Sequence, residues 1–570
     1  MLHWLLHDNG HSDKLALAAG LVLVVGAVHL LHRHQQQQQQ QHKNISTAST
    51  SSSSSSATTS CSAVVEAPRP ASTLPILDNT LDVVKHNEHL YDWLTEQCLA
   101  FQGRPFRIKA YGLTETIMLS SPEHYEDVLK TQFDNFEKGP FMHEVLEDLL
   151  GNGIFAADGA AWLHQRKTAS RLFTMRTLRD SVTGTVHKHL QRLLRALDAQ
   201  QAKNASFDLS QSLHQFTLEA FTEVAFGLDL SASSKTDTHP FQHAFDAALQ
   251  HISLRFLLPR PAWKLMRAWN IGPEAQFKAD VQVVHETVMD IIEQTLLRRA
   301  AANDQATEAA ATAAPRQDLV SLFLDSFDAQ EQQTDATDTS TTKPAFDPFY
   351  LRDIVLNILI AGRDTTAQAL AWFFFCLSEN PDVEQHILDE IRQHVPSLNA
   401  EDGAVDGAAL PTMEHVQSLT YLEAALKETL RLYPSVPLNM RSAVRDTVLV
   451  DGTFVRAGSM VGLPTYALGR MPHVWGADAA QFNPQRWFDA ETGEPRVISA
   501  FQFASFHAGP RTCLGQTLAM LEMKIVAVAL LSRFKIHVAP GQHITYGRSL
   551  TLPMRDPFLV SVSPRARDLS

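Results

Sequence analysis

The chain has 570 residues, of which 44% are hydrophobic, so it is long enough to bury one large core or two modest ones. Its 48 basic and 62 acidic residues give a formal net charge of −14, which argues against general nucleic-acid binding because that function needs a basic footprint. The four cysteines are far apart, so neither a zinc cluster nor a disulfide framework is predicted.

An apolar run near the N-terminus is the first predicted element. Residues 15–31 read LALAAGLVLVVGAVHLL, which is near the lower length limit of a bilayer-crossing helix, about 17–25 residues. A cleaved signal peptide is the alternative, but a glutamine run follows instead of a small-residue cleavage pattern. The slight excess of positive charge after the run favours a cytoplasmic body. We therefore predict a short segment at 1–14 and a transmembrane signal anchor at 15–31.

The rest of the chain divides into a linker and one body. Residues 32–70 contain Gln, Ser, Thr and Pro runs that cannot bury enough apolar surface to order themselves, which predicts a disordered linker. Residues 71–570 are predicted to form one mainly α domain with minor β, in which 300–344 is a surface excursion around one short helix at 318–327. Helical periodicity is clearest at 123–133, 187–200, 282–302 and 420–434, and strand-like patterns lie at 106–112, 447–456, 544–554 and 558–564.

The stretch LNILIAGRDTTAQALAWFFFCLSENP, at 356–381, is helical in pattern but polar at its centre. Gly362 costs about 1 kcal/mol relative to alanine inside a helix, and Thr365 can bond back to the preceding turn. Together these residues can open a local groove in the helix. A solvated polar patch is the plainer interpretation, and the stretch alone favours it.

Two residue pairs have helical spacing. Glu428 and Arg431 lie three residues apart in KETLRLYP, and Trp162 and Arg166 lie four apart in AAWLHQRKTASRLF. Each spacing places both side chains on one helix face, where such pairs usually add about 0.2–0.5 kcal/mol. A surface ion pair is therefore the default for the first pair, and the second pair is weak evidence when taken alone.

The loop FHAGPRTCLG, at 506–515, surrounds one cysteine with glycines. A thiolate that binds iron needs backbone N–H donors around its sulfur. Gly509 permits a tight turn, and Gly515 lets the following helix approach a flat macrocycle. Arg511 can bond a carboxylate. A buried, inert Cys513 is the alternative, because that is the usual fate of a free cysteine.

The pattern Phe506-x-x-Gly509-x-Arg511-x-Cys513-x-Gly515 resembles the haem-binding loop of cytochrome P450 monooxygenases. The resemblance extends over nearly all of the body, with four motifs in the family's order, and implies the cytochrome P450 fold as a single large haem domain. It implies haem b with Cys513 as the axial thiolate ligand of the iron. The other residues that it implies for haem binding are Arg511, Phe506, Gly509, Gly515, Trp162, Arg166 and Arg441.

The resemblance also assigns roles to residues away from the cysteine loop. Asp364 and Thr365 match the family's acid–alcohol pair, in which the threonine bonds the oxygen co-substrate and the aspartate helps to deliver protons. His507 departs from the commonest residue at its position, and no iron bond is expected from it. A buried structural triad that locks the cysteine segment is implied for Glu428, Arg431 and Arg486.

The implied reaction inserts one oxygen atom from O2 into a C–H bond and reduces the other to water. We expect electrons from NADPH through a separate cytochrome P450 reductase in the endoplasmic reticulum membrane, with a single-pass anchor and the haem domain facing the cytoplasm. Arg166, Lys167 and Arg171 can supply a local basic face for this partner despite the acidic total charge.

The substrate prediction depends on the stretches 136–167, 361–375, 506–515 and 548–554, which look like the P450 branch that hydroxylates fatty acids near the methyl end. The apolar segment 141–155, where the family has its substrate lid, suits an acyl chain because each buried methylene is worth about 0.8 kcal/mol. We predict ω or near-ω hydroxylation of medium- or long-chain fatty acids. Sterols, terpenoids and foreign compounds are the alternative substrates, since apolar lining suits them equally.

Two other classes of haem protein make different predictions. A P450 that rearranges hydroperoxides or aldoximes without O2 has little need of a proton relay, so the pair Asp364–Thr365 argues against it. A haem electron carrier or gas sensor predicts a closed site or a second axial ligand, and the stretch 356–381 offers none.

Overall fold

The computed structural model describes residues 65–174, 183–230, 240–304, 318–334, 347–395 and 410–565. The predicted anchor at 15–31 and residues 32–64 of the predicted linker lie outside these ranges. No helix within the described ranges is both long enough and apolar enough to cross a bilayer. The described body is mainly helical with minor β-structure, as predicted.

Helices form most of the body. In chain order they are α1 (Thr80–Lys85), α2 (Leu90–Ala100), α3 (Pro122–Glu126), α4 (Gly139–Leu150), α5 (Gly159–Ala169), α6 (Thr183–Lys203), α7 (Leu209–Phe226), α8 (Pro240–Leu254), α9 (Arg260–Trp269), α10 (Pro273–Asp304), α11 (Leu319–Thr334), α12 (Pro348–Glu379), α13 (Pro381–His394), α14 (Met413–Gln417), α15 (Thr420–Leu432), α16 (Thr465–Leu468), α17 (Pro472–Trp475) and α18 (Gln516–Arg533). The four clearest helical patterns of the sequence and the short helix predicted at 318–327 all lie in helical segments.

The strands are short and form small sheets. They are β1 (Phe106–Ile108), β2 (Thr116–Met118), β3 (Phe136–Glu137), β4 (Phe207–Asp208), β5 (Asn439–Ala443), β6 (Thr447–Val448), β7 (Phe454–Val455), β8 (Met460–Leu463), β9 (Phe534–Val538) and β10 (Leu559–Pro564). A five-stranded sheet has the order β1-β2-β8-β5-β3, a three-stranded sheet the order β4-β10-β9, and β6 pairs with β7. The pair β2–β8 is parallel and the other pairs are antiparallel.

The helix α12 runs through the largest hydrophobic core. Local chemistry sets its ends, since the Asp347 side chain accepts a bond from the Phe349 N–H at the start and Pro381 follows the last turn. The helix α7 packs closely along it. A Cβ at Gly362 would lie 2.2 Å from the Phe221 ring, so this contact requires glycine. Gly362 therefore allows α7 to pack closely against α12. The sequence pattern did not indicate this role.

The polar centre of α12 is buried rather than solvated. Arg363 and Asp364 are 0% and 1% exposed, so the solvated-patch interpretation is wrong. Three side-chain hydroxyls bond carbonyl oxygens of this turn, at 2.8–2.9 Å: those of Thr365 to Ala361, of Thr217 to Arg363, and of Ser435 to Thr365. The helix nevertheless stays continuous through the turn.

The strand-like stretch 544–554 forms no β-strand, so the strand predicted there is wrong. One isolated bridge joins Tyr546 to Met554. The backbone of Leu552 instead bonds other elements: its N–H donates to the Ser435 carbonyl and its carbonyl accepts from the Trp372 indole at 2.9 Å. These backbone groups are therefore satisfied by tertiary hydrogen bonds and are not available for pairing with a neighbouring strand.

The end of the predicted linker contacts the body. The Val65 N–H donates to the Gly452 carbonyl and its carbonyl accepts from the Phe454 N–H. Ala67 is 3% exposed and belongs to a hydrophobic cluster. The boundary of the body therefore lies before residue 71, because these backbone groups pair across the chain rather than with water.

Candidate active site

A cavity of about 510 Å³ lies between α12 and the loop that carries Cys513. Most of its wall is apolar, and residues of α4, α12, α18 and the loop at 548–551 contribute to it. The predicted site residues on the wall are Cys513, Arg511, Phe506, Gly515, Trp162, Arg166, Arg441 and Thr365. Gly509 and Asp364 are not wall residues, and the predicted triad lies behind the wall.

The cysteine loop, which precedes α18, is held in shape by a hydrogen bond within its own backbone. The Cys513 N–H donates to the Phe506 carbonyl at 2.9 Å. Gly509 has a φ of +67°, and a Cβ there would lie 2.1 Å from the Leu129 carbonyl oxygen, so other residues do not fit. A Cβ at Gly515 would make only an ordinary contact, 3.6 Å from Phe173. The protein alone therefore does not require glycine at that position, whereas a flat group beside the cysteine would.

The Cys513 side chain is exposed into the cavity instead of packed in the core. The surrounding protein raises the pKa of its thiol by desolvation. Hydrogen bonding from the backbone at Gly515 and Gln516 and the charge of Arg166 act in the opposite direction, because they favour the thiolate. This donor set is what a metal-bound thiolate requires.

Three buried or half-buried cations, Lys138, Arg441 and Arg511, form a cationic cluster on the cavity wall. Arg511 pairs with Asp158 at 2.6 Å and lies 4.4 Å from the centre of the Trp162 ring. Burial, followed by repulsion from Arg511, lowers the pKa of Arg441 to about 9. Burial and both arginines also hold the pKa of Lys138 well below its usual value.

His507 supports this cationic cluster and has a positive φ of 60°. Its Nε2 lies 2.7 Å from Arg441 Nη2. A guanidinium can only donate, so Nε2 accepts and the ring proton sits on Nδ1, 2.9 Å from the Ala508 carbonyl oxygen. Burial and the charge of Arg441 hold the pKa of His507 well below its usual value. His507 therefore aims Arg441 as a neutral acceptor, which explains a residue whose role the sequence left open.

The charges on the wall do not balance. Among the described residues that line the cavity, the cations are Lys138, Arg166, Arg441, Arg511 and Arg548, whereas one residue, Glu522, carries a carboxyl group. Burial raises the pKa of Glu522 to about 8, so it is mostly neutral at pH 7. In addition, Arg511 Nε is buried without a hydrogen-bond partner. A dianionic group such as the paired propionates of haem would offset this excess, so the residues present fit that group.

The acid–alcohol pair of the sequence prediction is split between two sides of α12. Thr365 lines the cavity, whereas Asp364 faces away and bonds Arg363 Nη1 at 2.8 Å. Arg363 also reaches Asp246, a half-exposed residue of α8, at 2.7 Å. Burial raises the pKa of Asp364 to about 7, and its Oδ2 atom is buried without a partner. Its neighbour Arg363 was not singled out from the sequence, because the contact to α8 is not local.

The predicted triad is brought together in full. The Glu428 carboxylate accepts two bonds from Arg431 at 2.7 and 2.8 Å and one from Arg486 at 2.8 Å. The Trp487 indole and the Asn483 N–H complete its partners at 3.0 and 2.9 Å. Arg431 also donates from Nη1 to the carbonyl oxygens of Gly469 and Ala479, and from Nη2 to that of Gln481. The surface-pair default is therefore wrong, since both members of the pair are 1% exposed or less.

Several residues of the site, among them Lys138 and Asp158, were missed in the sequence. Lys138 is on the wall, and Asp158 joins three parts of the site: it accepts from the N–H groups of Lys138 and Gly139 at 3.0 Å and pairs with Arg511. Both lie within 136–167, close to the motif of Trp162 and Arg166. A cation and an acid that flank an apolar segment carry no pattern by themselves, so only the fold shows their contact with the cysteine loop.

Comparisons with known proteins agree with this geometry. The Cytochrome P450 family profile matches residues 68–553. Cytochrome P450 CYP94D109 of Paris polyphylla is 37% identical over 436 residues, which cover 75% of this chain and 80% of the relative. Cytochrome P450 704C1 of Pinus taeda is 34% identical over 506 residues, which cover 86% of this chain and 92% of the relative.

A solved structure, the haem domain of cytochrome P450DA, superposes with a TM-score of 0.69 over 88% of this chain and 99% of that chain at 21% identity, which shows the shared fold. The fold, the cysteine loop and the family match agree. The chain belongs to the cytochrome P450 family and is a haem-thiolate monooxygenase that uses O2 and electrons delivered from NAD(P)H by a reductase.

Proposed function

We propose that this monooxygenase hydroxylates medium- or long-chain fatty acids at or near the methyl end. The observation that carries the proposal is a long apolar wall that also bears a cation outside the cationic cluster. Six residues of the segment 141–155 line the cavity: Phe141, Met142, Leu146, Leu150, Ile154 and Phe155. Such a wall suits an acyl chain because each buried methylene contributes about 0.8 kcal/mol.

The cation is Arg548, which lines the cavity from the loop at 548–551. A guanidinium on the wall of a mostly apolar cavity can hold a carboxylate through charge-assisted hydrogen bonds. Ser549 and Thr551 lie beside it on the same wall. We assign Arg548 to the carboxylate end of the substrate, so that the hydrocarbon end extends toward Cys513.

The haem-binding roles follow from the same cavity. Cys513 would bind the haem iron through its thiolate, and Arg441, Arg511, Arg166, Trp162 and Lys138 would hold the propionates. Haem, when bound, supplies the reductive activation of O2 that places one oxygen atom in the substrate and one in water. Phe506, Gly509 and Gly515 shape the loop. Structural roles remain for Glu428, Arg431 and Arg486, which hold the segment before the cysteine loop.

Protons for this chemistry would come through α12. The Thr365 hydroxyl lies on the cavity wall and bonds the Ala361 carbonyl, so it can turn to donate into the cavity. Asp364 would accept protons on the α8 side, where Arg363 links it to Asp246. A carboxyl group with a pKa of about 7 gains and loses protons readily at neutral pH. Rotation of Asp364 toward Thr365 would then deliver the proton.

Membrane attachment is part of the proposal and is supported by exposed apolar side chains. Ile76 and Leu81 near α1 are 52% and 45% exposed, and Trp269 at the end of α9 is 66% exposed. The segment at 111–112 contacts both regions: the Tyr111 N–H donates to the Thr80 hydroxyl of α1 at 2.8 Å, and a Cβ at Gly112 would lie 2.8 Å from Pro259, which precedes α9. Exposed apolar patches mark sites that contact proteins or membranes; we assign this one to the membrane, and the predicted anchor at 15–31 would place the haem domain on the cytoplasmic side of the endoplasmic reticulum.

The proposed basic face for the reductase is smaller than the sequence suggested. Lys167 and Arg171 are exposed, whereas Arg166 lines the cavity and lies 5.9 Å from the centre of the Trp162 ring. We therefore assign the first two residues to the reductase and keep Arg166 for the cofactor.

Ligand titration tests the substrate class. The purified holoenzyme is titrated with fatty acids, sterols and terpenes while the Soret band is recorded, and products are then identified with reductase and NADPH. Fatty acids should shift the band and yield hydroxylation near the methyl end. A shift with sterols or terpenes alone would reject the fatty-acid proposal and favour the alternative substrates.

The carboxylate assignment is tested with Arg548→Gln. Loss of a charge-assisted hydrogen bond costs about 1.5–3 kcal/mol, so the Kd of a fatty acid should rise about 10- to 100-fold. The Kd of its methyl ester, which carries no charge, should change little. Arg548→Lys is the matched control and should restore part of the affinity. An equal loss for acid and ester would contradict the assignment.

A further inference from the structure

Three of the eight tyrosines of the protein form one cluster at the edge of the cavity. The ring centre of Tyr91 lies 6.0 Å from that of Tyr466 and 5.3 Å from that of Tyr546, and the latter two are 5.6 Å apart. Tyr91 lines the cavity, whereas Tyr466 and Tyr546 are 5% and 4% exposed. The tyrosine cluster is therefore a continuous aromatic path that begins at the active site.

Both buried hydroxyl groups of the tyrosine cluster bond one carboxylate. The Tyr466 hydroxyl donates to Asp92 Oδ1 at 2.9 Å and the Tyr546 hydroxyl to Asp92 Oδ2 at 3.0 Å. The Asp92 side chain is 47% exposed, and His89, which is 49% exposed, lies 3.8 Å from it. A proton that leaves either phenol thus has a base at hydrogen-bond distance, and that base is open to solvent.

Tyr91 differs from the other two in its acceptor. Its hydroxyl donates to the Ser549 carbonyl oxygen at 3.2 Å, and burial raises the pKa of its phenol. A backbone carbonyl is too weak a base to take a phenol proton. Tyr91 can therefore pass an electron but cannot hold the oxidised state as a neutral radical, whereas Tyr466 and Tyr546 can.

A nearby cation distinguishes the two buried tyrosines. The Arg470 guanidinium lies 3.6 Å from the centre of the Tyr466 ring. A positive charge over a ring is stabilised by its electrons and opposes the removal of one of them. Tyr546 has His89 at its edge instead, with 6.3 Å between ring centres. Tyr546 is therefore expected to be the tyrosine that carries the radical.

We propose that the tyrosine cluster is an electron relay that removes unused oxidising equivalents from the active site. It acts when O2 has been activated and no substrate C–H bond is within reach. An electron passes from Tyr546 through Tyr91 to the cavity, and the Tyr546 O–H proton moves to Asp92. The product is a neutral tyrosyl radical close to the protein surface.

The cycle closes with a small-molecule thiol as the reductant. The thiol gives a hydrogen atom to the tyrosyl radical, and Asp92 releases its proton to water. Two such events supply two electrons, which with two protons from solvent reduce the unused oxygen atom to water, while two thiols become one disulfide. This inference depends on the monooxygenase chemistry of the family and is independent of the fatty-acid proposal.

Radical trapping tests the relay. The substrate-free holoenzyme is mixed with hydrogen peroxide, freeze-quenched and examined by electron paramagnetic resonance. The wild type should give a tyrosyl radical, and Tyr546→Phe should lose most of it. Tyr125→Phe is the matched control, because Tyr125 is as buried as Tyr546 but packs in a different hydrophobic cluster, away from the tyrosine cluster. An unchanged signal in Tyr546→Phe, or an equal loss in Tyr125→Phe, would overturn the proposal.

A second variant separates the relay from a merely structural cluster. Asp92→Asn keeps an acceptor oxygen for the phenols but is not a base, so it should also lose the radical while the reduced-CO spectrum stays as in the wild type. During substrate-free turnover, Tyr546→Phe should be inactivated sooner and accumulate sulfoxide at the cavity methionines, which are Met118, Met142, Met440, Met460 and Met523. Added thiol should prolong the life of the wild type alone. Equal lifetimes and equal oxidation maps would contradict the relay.

Discussion

The network around Glu428 and the cationic cluster at the cavity both bury charge, but they do so in opposite ways. Around Glu428 each charged group has its counterpart, and the spare donors of Arg431 bond backbone carbonyls. In the cationic cluster, Arg441 is 1% exposed beside other cations, with Asp158 pairing Arg511 alone. A balanced buried network holds a fold together, whereas an unbalanced one is stable only when a ligand supplies the missing charge.

The largest effect is expected where the balanced network is broken. Glu428→Gln keeps the shape of the side chain but removes its charge and leaves Arg431 buried without a counterion. Loss of one partner of a buried pair costs about 3–5 kcal/mol. The free energy of unfolding by urea should fall by that amount, with loss of the reduced-CO band at lower temperature.

An exposed pair is the control for this variant. Asp389→Asn breaks the contact with Arg392, in which the side chains are 56% and 40% exposed. Asp389→Asn should lower the free energy of unfolding by less than about 1 kcal/mol, because surface ion pairs contribute little to stability. Similar losses in the two variants would show that the Glu428 network has no special structural role.

Removal of a charge from the cationic cluster should not lower the free energy of unfolding of the haem-free protein, in contrast to Glu428→Gln. Arg441→Gln relieves the burial of one cation, so the free energy of unfolding of the haem-free protein should hold or rise. Haem should leave faster, by about 10- to 100-fold, since a charge-assisted hydrogen bond contributes about 1.5–3 kcal/mol. Transfer of haem to apomyoglobin measures that rate. Unchanged haem loss would remove Arg441 from the haem site.

A further effect concerns the carboxyl group of the cavity wall and depends on pH. Burial raises the pKa of Glu522 to about 8, above its value of 4.5 in the unfolded chain. Its contribution to stability is therefore full below pH 4.5 and is lost as the pH rises toward 8, by about 1.4 kcal/mol per pH unit. Glu522→Gln should remove this slope, as measured by urea unfolding between pH 5 and 8. Equal slopes would mean that Glu522 is ionised in the folded protein.

Motifs with strict local geometry could be predicted from the sequence. The turn at Gly509 needs a positive φ, and the cysteine loop and the helical pair of Glu428 and Arg431 follow from spacing alone. The strand-like stretch 544–554 could not be predicted correctly, because its backbone bonds go to Ser435 and Trp372. Alternating apolar residues indicate that a segment is buried, but they do not indicate which groups will accept and donate its backbone hydrogen bonds.

The amino-acid sequence by itself determined the helical character of the body through its periodicity, and its short motifs carried the resemblance that implied the family and the cysteine that faces the cofactor. The tertiary structure decided the direction of Asp364 toward Arg363 and Asp246, and the support of Arg441 by His507. It also brought Tyr466 and Tyr546 onto the Asp92 carboxylate and placed the Tyr91 ring beside them. Apart from the adjacent pair Arg363 and Asp364, these contacts join residues from 66 to 454 positions apart, where no local pattern constrains the partner and only packing of the core brings the groups together.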